Sequence, residues 1–255
     1  MLVLECKKVD IPVKDEKISS AYSFRELHWD TEFFGISCAK AILHKPLSRI
    51  EWETLRDKFY DYQFISFENR YSESVNALYI GKETTAFLAD VNIQFKKKVD
   101  TTCNMPKGVK IYQFMGRDDR ILEMANFPFS KFTEDQGLAK RGGADVYRHW
   151  LINSFSKPGK YYAIDEGIDS EINGYLLHSY LNKTCTVELI AVSRNKTKGG
   201  IGMNLMKAVE YLACQHGCDE LKVGTQVRNL EAINFYHKCG FRQVESYQVY
   251  HLWNL

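Results

Sequence analysis

The segment 187–241 constrains the fold most, because a strand, a glycine-rich turn and an amphipathic helix follow one another in it. The apolar run 187–192 predicts a strand, and residues 198–203 predict a turn whose glycines let the backbone approach a ligand closely. Apolar side chains then recur at helical spacing, at Ile201, Leu205, Ala208, Val209 and Leu212. Free N–H groups and the helix dipole favour an anion at such a helix start, so a pyrophosphate would fit there.

A second segment, 229–241, reads as a helix that begins near Asn229 and ends before Gly240, a position where glycine is favoured because it adopts the left-handed conformation cheaply. The two segments together resemble motifs A and B of the GNAT superfamily of acyl-CoA-dependent N-acetyltransferases. Thr197 departs from the resemblance, because the family has Gln or Arg there. A purely structural glycine turn is the alternative. The glycine spacing does not match a dinucleotide-binding fold, and the absence of Gly-Lys-Ser/Thr excludes a P-loop.

The resemblance implies an α/β (α+β) GNAT fold, with a mixed central sheet flanked by helices and preceded by a smaller α/β N-terminal domain. The polar segment 101–108 contains Pro and Gly and predicts the boundary, which divides the chain into residues 1–107 and 108–255. In the second region we predict strands at 109–114, 160–165, 172–180, 184–192, 220–226 and 241–252, and helices at 118–125, 144–155, 200–216 and 230–238. In the first region we predict strands at 2–7, 33–44, 64–68 and 86–97, and helices at 50–62 and 72–80.

The same resemblance implies acetyl-CoA as the cofactor and assigns its contacts to three parts of the chain: the strand end, the glycine turn and the second helix. The residues concerned are Ile190, Ala191, Val192, Lys198, Gly199, Gly200, Ile201, Gly202, Met203, Asn229, Ala232 and Phe235. Tyr236 matches the tyrosine that commonly protonates the leaving thiolate in this family, although a packing tyrosine is the alternative. Glu188 is a candidate general base, but in an alternating strand it can equally face solvent. His178, His237 and ordered water remain alternative bases.

Two aromatic clusters lie outside these motifs, and either could be core. Their members are Trp29, Phe33, Phe34, Phe129 and Phe132. With Tyr147 and Trp150, these stretches resemble a narrower branch of GNAT enzymes, the dTDP-fucosamine (dTDP-4-amino-4,6-dideoxygalactose) acetyltransferases. That resemblance implies a nucleotide-linked amino sugar as the small-molecule substrate and assigns the five aromatic residues to its binding. Other amines (a peptide, a polyamine, an aminoglycoside) and a non-catalytic acyl-CoA sensor are the competing functions, and retention of Tyr236 weighs against the sensor.

Net charge and cysteine content limit the classes of binding partner that we expect. The 255 residues carry a formal net charge of only +2, so we expect neither nucleic-acid nor membrane binding. The start of the chain lacks the pattern of a signal peptide, and seven scattered cysteines without a C-x-x-C predict free thiols, a cytoplasmic location and no metal. The pair Cys214 and Cys218 lacks a second pair of ligands. A homodimer paired through an exposed C-terminal strand is a further expectation.

Overall fold

The computed structural model describes residues 21–167, 171–193 and 199–254. In this part of the chain the strands are β1 (Tyr22–Glu26), β2 (Cys38–Leu43), β3 (Phe64–Asn69), β4 (Phe87–Lys98), β5 (Val109–Gln113), β6 (Lys160–Glu166), β7 (Ile172–Leu181), β8 (Thr184–Val192), β9 (Glu220–Gln226) and β10 (Arg242–Trp253). The helices are α1 (His28–Phe34), α2 (Arg49–Arg56), α3 (Ser74–Glu83), α4 (Asp119–Glu123), α5 (Lys131–Glu134), α6 (Gln136–Ala139), α7 (Val146–Ser154), α8 (Ile201–Gln215) and α9 (Leu230–Lys238).

The strands form one sheet in the order β1-β2-β3-β10-β4-β9-β8-β7-β6-β5. Neighbouring strands are antiparallel except for the pairs β2/β3 and β8/β9, which are parallel. The sheet is therefore mixed, as expected, and helices cover both of its faces.

Alternation along the strands sorts the buried side chains between the two faces. On one face, called the α8 face here, β4 and β7 to β9 pack under α8 and α9, while β1 to β3 pack under α2 and α3. On the other, the α7 face, α4 and α7 cover β6 to β8, and α1, α5 and α6 cover β2, β3 and the end of β10. Between the two apolar clusters of the α7 face lies a polar strip on β3, β4 and β10.

The predicted elements of the second region agree with the structure to within two residues at almost every boundary, and β8, β9 and α9 coincide with their predictions. The first region needs a correction at 33–44. Phe33 and Phe34 end helix α1, which stops at Gly35 in the left-handed conformation (φ 67°), and strand β2 begins only at Cys38. The apolar run concealed this turn. Strand β1 and the short helices α5 and α6 were not predicted, and the predicted strand at 2–7 lies outside the described residues.

The domain boundary at residue 107 stays a prediction. One sheet crosses it, because β4 of the first region hydrogen-bonds to both β9 and β10 of the second. The expectation of an exposed C-terminal strand is wrong. Strand β10 lies between β3 and β4, and both of its edges are paired. It cannot therefore join a second copy through its edge.

Candidate active site

A fork in the sheet is the main feature of the site. Strands β8 and β9 pair only from Thr184 to Thr186 and from Glu220 to Lys222, although both strands continue further. Along the rest of these two described strands the facing backbone groups have no partner in the sheet. Each such N–H and C=O needs a hydrogen bond, so the open arms suit a ligand that carries amides of its own.

Glu188 marks the start of the fork. On the opposite edge of β8, Leu189 pairs with Leu177 and Val187 with His178, so Glu188 is the extra residue of a β-bulge. The bulge reverses the alternation of the strand. Cys185 and Val187 face α8, whereas beyond the bulge Leu189 joins the cluster on the opposite face. Bulges of this kind redirect side chains beside functional sites.

The glycine turn and the second helix meet at the open end of β8. Gly200 caps α8 in the left-handed conformation (φ 74°), and no side chain caps the helix at this position. A Cβ atom on Gly202 would lie 3.2 Å from the ring of Phe235 and 3.7 Å from Val192. The predicted contacts from the strand end, the turn and α9 are thus brought together. Gly199 is exposed beside them, and Lys198 lies outside the described residues.

The α8 start has the features of an anion site. The N–H groups of Ile201, Gly202 and Met203 have no acceptor within the helix, since the first intrahelical bond runs from Asn204 N–H to Gly200. Asn229 caps α9 by accepting a hydrogen bond from the Ala232 amide at 3.1 Å. Asn229, assigned above to the cofactor, thus uses its side-chain oxygen to cap the helix.

Tyr236 lies on α9 and is 4% exposed. Its ring centroid is 5.7 Å from that of Phe95 on β4 and 6.0 Å from that of Phe241. Burial raises the pKa of its phenol far above the usual value, with the neighbouring Cys239 adding to the effect. A phenol is protonated at neutral pH in any case, and the raised pKa means that Tyr236 gives up its proton only to a strong base.

Glu188 is held by three donors. Lys160 and Ser179 donate to one carboxylate oxygen, and Trp150 on α7 donates to the other at 3.3 Å. Its side chain is almost fully buried. A carboxylate that accepts this many hydrogen bonds is well suited to fixing α7 against the bulge and has little capacity left for an incoming ammonium.

The two histidines are placed differently. His178 is fully buried, its Nε2 lies 3.0 Å from the Tyr180 hydroxyl, and burial lowers its pKa to about 3. An imidazole with so low a pKa accepts a proton poorly at neutral pH and is therefore a weak general base. His237 is exposed on α9 with its ring 5.3 Å from that of Phe95.

Most of the aromatic residues form a continuous row on the α7 face. Ring centroids lie 4.8 Å apart for Trp29 and Phe33, 5.0 Å for Phe33 and Phe34, and 6.4 Å for Phe34 and Phe132. Tyr147 on α7 extends the row, 6.0 Å from Phe132. The two clusters that are separate in sequence are thus one surface in the fold.

Phe129 stands apart from this row. The guanidinium of Arg228 lies over its ring at 5.3 Å. Arg228 follows β9, and it also pairs with Glu134 at 2.9 Å. The segment before α5 is therefore fastened to the loop that leads from β9 to α9.

The polar strip next to this row was missed by sequence reasoning. It includes Asp90, Asn92 and Gln94 of β4, with Glu68 of β3 and Lys131 of α5 beside them. A Cβ atom on Gly224 of β9 would overlap the Gln94 amide nitrogen, so glycine leaves space for that side chain at the fork. Aspartate is uncommon within strands, and that was the available signal for Asp90.

No cluster of three metal-binding side chains occurs in residues 21–167, 171–193 and 199–254. Within the same ranges, each helix is too short or too polar to cross a bilayer.

Comparisons with known proteins agree with this geometry. The profile of the acetyltransferase (GNAT) family matches residues 120–241, which contain the fork, the glycine turn and α9. Spore coat polysaccharide biosynthesis protein SpsD of Bacillus subtilis is 24% identical over 140 residues, 54% of this chain and 48% of that protein. N-alpha-acetyltransferase 30 of Homo sapiens is 29% identical over 65 residues, 26% of this chain and 18% of that protein. The matches thus span about half of the first relative's length and about a fifth of the second's.

Solved structures share the fold at low identity. A GCN5-related N-acetyltransferase from Sphaerobacter thermophilus has a TM-score of 0.59 at 12% identity, covering 91% of this chain and 76% of that one. A second, from Kribbella flavida, has a TM-score of 0.54 at 14% identity, covering 91% and 87%. Both alignments extend through the first region as well as the second. From the family match we conclude that residues 120–241, which hold the forked sheet and the glycine-capped helix, are a GNAT acetyltransferase segment, and the chain shares the fold of GNAT proteins of known structure.

Proposed function

We propose that this chain transfers an acetyl group from acetyl-CoA to the amine of a nucleotide-linked amino sugar. The observation that carries the proposal is the fork between β8 and β9, whose open arms lead to the glycine-capped start of α8. An acyl-CoA has amides along its pantetheine arm and a pyrophosphate beyond them, which match the two parts of this groove.

The residues available for holding acetyl-CoA are the backbone of Ile190 to Val192 and the turn from Gly199 to Met203. Phe235 supports that turn through its contact at Gly202. Acetyl-CoA would supply the activated thioester. The chain would orient it beside the amine, and a free backbone N–H near the bulge could stabilise negative charge on the carbonyl oxygen.

Tyr236 is the proposed general acid. It lies on α9, the helix whose Phe235 contacts the glycine turn, and like any phenol it carries its proton at neutral pH. Donating that proton to the departing sulfur would lower the barrier, since a thiolate is poorly solvated in a closed site.

The first region supports the acceptor part of the proposal. It supplies β4 and the row that begins at Trp29 and Phe33, next to the polar strip. Flat apolar rings beside charged groups suit a base and sugar joined by phosphates. We therefore propose that residues 1–107 contribute to the acceptor site and that Trp29, Phe33, Phe34, Phe129 and Phe132 line it. The similarity to SpsD, named for polysaccharide biosynthesis, points in the same direction.

The test is mass analysis of reactions that contain acetyl-CoA and a panel of dTDP- and UDP-linked amino sugars, polyamines and short peptides. We expect an acetylated dTDP-amino sugar. Gly202→Asp should abolish product and acetyl-CoA binding, because it adds a charge to the anion cradle and a Cβ against Phe235. Gly81→Asp is the matched control, since Gly81 lies on the exposed side of α3 with open space around it.

Other outcomes discriminate the alternatives. Acetylation of a peptide or polyamine would overturn the sugar assignment and keep the chemistry. Acetyl-CoA binding without any product would favour an acyl-CoA sensor. If the chain neither binds acetyl-CoA nor forms product, the use of the fork as a cofactor groove is contradicted.

A further inference from the structure

Asp90 occupies a distinctive position on β4. It pairs with Val249 of β10, and two residues later Asn92 pairs with Gln226, the last residue of β9. Strand alternation places Asp90 and Asn92 on the face opposite Ile93, which packs under α8. Asp90 therefore lies on the α7 face, in the polar strip, close to the open end of the fork.

Its carboxylate is half-buried and lacks a charged partner. Among the described residues, no ion pair within 4 Å reaches it, and its hydrogen bond comes from the backbone amide of Val91. The charged groups nearest to it are Lys131 and Glu134 on α5 and Arg228 after β9. Glu134 and Arg228 pair with each other.

The remaining elements around Asp90 present Tyr147 from α7 and Tyr247 from β10. Behind Lys131 lie Glu68 of β3 and Asp30 of α1. Glu68 is itself paired with Lys40 of β2. Within the described chain Glu68 and Glu134 each contact a cation, whereas Asp90 and Asp30 do not. Asp90 differs from Asp30 in its place on β4 beside the end of β9.

The environment also sets the proton affinity of Asp90. Burial raises its pKa to about 6, although Lys131 and the Val91 amide oppose the shift. A carboxylate with this pKa is ionised at neutral pH, yet it binds a proton more readily than an ordinary aspartate does. Both properties suit a group that first attracts an ammonium and then accepts its proton.

We propose that Asp90 binds the ammonium of the acceptor and acts as the general base, a role that rests on the acetyl transfer proposed above. One N–H bond of the ammonium breaks, its electron pair stays on nitrogen, and the proton forms an O–H bond with Asp90. The nitrogen lone pair forms the new C–N bond with the acetyl carbon while the C–S electrons leave on sulfur. Tyr236 protonates the sulfur, the second nitrogen proton restores the phenol through solvent, and Asp90 returns its proton to water.

The test compares the wild-type chain with Asp90→Asn, a near-isosteric change, using acetyl-CoA and dTDP-4-amino-4,6-dideoxygalactose as the acceptor probe. The readouts are kcat and acceptor KM between pH 5 and 8, and acetyl-CoA affinity by calorimetry. Wild-type kcat should fall below about pH 6, where Asp90 takes up its proton. The variant should lose at least about 100-fold in kcat, with acetyl-CoA affinity unchanged. It should also lose the fall in kcat at low pH, which is the acidic limb of the pH profile.

Glu134→Gln is the matched control, because this neighbouring carboxylate pairs with Arg228 and should leave the acidic limb in place. Asp90→Asn with wild-type kcat and the same limb would overturn the role of Asp90 and leave the transferase proposal intact. Loss of acetyl-CoA affinity together with kcat would make Asp90 structural. If the wild-type chain acetylates neither this probe nor any other amine of the panel, the transferase proposal fails, and the role of Asp90 fails with it.

Discussion

At the scale of single residues, the two candidates for proton transfer that the sequence motifs suggested, Tyr236 and Glu188, have different surroundings. Tyr236 is enclosed by Phe95 and Phe241, and this burial raises the pKa of its phenol. Glu188, by contrast, is saturated by Lys160, Ser179 and Trp150. Tyr236 therefore remains the proposed proton donor, and we propose that Glu188 fixes α7 against the bulge.

Replacing Tyr236 by Phe tests this assignment. The ring keeps its packing, so the fold should be retained, whereas the proton donor is lost. We expect kcat to fall by about 100-fold or more with little change in KM for acetyl-CoA, because the acid acts mainly in the transition state. The measurement is release of free thiol. Tyr60→Phe, at a tyrosine that is 83% exposed, is the control, and an unchanged kcat in Tyr236→Phe would remove the phenol from the mechanism.

At the scale of elements, the junction of β8, α8 and α9 depends on close backbone approach. Gly202 lies against Phe235, and a Cβ atom on Gly174 of β7 would lie 3.1 Å from Ile201 and 3.2 Å from Leu205. Glycine at these two positions lets α8 pack against the sheet and against α9. The helix start is therefore held next to the fork by packing, independently of any ligand.

Gly200 tests the conformation of that helix start separately from its packing. Open space surrounds both Gly200 and Gly81, but only Gly200 has a positive φ. Gly200→Ala should therefore cost about 1 to 2 kcal/mol of unfolding free energy through backbone strain alone. Gly81→Ala, within helix α3, should instead stabilise by about 0.5 to 1 kcal/mol.

The measurement is urea unfolding of both variants beside the wild-type chain. If the two substitutions change the unfolding free energy equally, the left-handed conformation at Gly200 does not make alanine unfavourable there.

At the scale of the whole molecule, a buried polar contact joins distant parts of the chain. His251 Nδ1 of β10 lies 2.7 Å from Asp135 at the start of α6, and Trp253 donates to the same carboxylate oxygen at 3.1 Å. Burial raises the pKa of Asp135, but the bonds from His251 and Trp253 outweigh it and hold the pKa below its usual value. This contact anchors α5 and α6, and with them the aromatic row, to the centre of the sheet.

The same contact predicts how stability depends on pH. Burial lowers the pKa of His251 despite its bond to Asp135, so the folded chain takes up this proton only below the pH at which the unfolded chain does. Stability from His251 is therefore present above about pH 6.5 and is lost as the pH falls, with a slope of at most about 1.4 kcal/mol per pH unit.

Urea unfolding between pH 8 and 5 checks this dependence. His251→Gln should be less stable at pH 8 but flatter with pH, and the difference between the two chains isolates His251. His28→Gln, at an exposed position, should follow the wild-type curve. Parallel curves for wild type and His251→Gln would contradict the assignment.

The sequence by itself determined the elements of the second region and the positions of its motifs, because hydrophobic periodicity and glycine placement are local properties. It placed β8, the α8 start, α9 and Tyr236 in their order along the chain. It failed at Phe33 and Phe34, where a left-handed Gly35 ends a helix inside an apolar run.

Only the tertiary structure decided what the two regions make together. The insertion of β4 between β9 and β10, the central place of β10 and the union of the aromatic clusters all depend on pairings between residues far apart in sequence. The saturation of Glu188 and the unpaired state of Asp90 in the described chain depend on neighbours from several elements. Local pattern carries no information about such neighbours, because burial and proton affinity are properties of the assembled sheet.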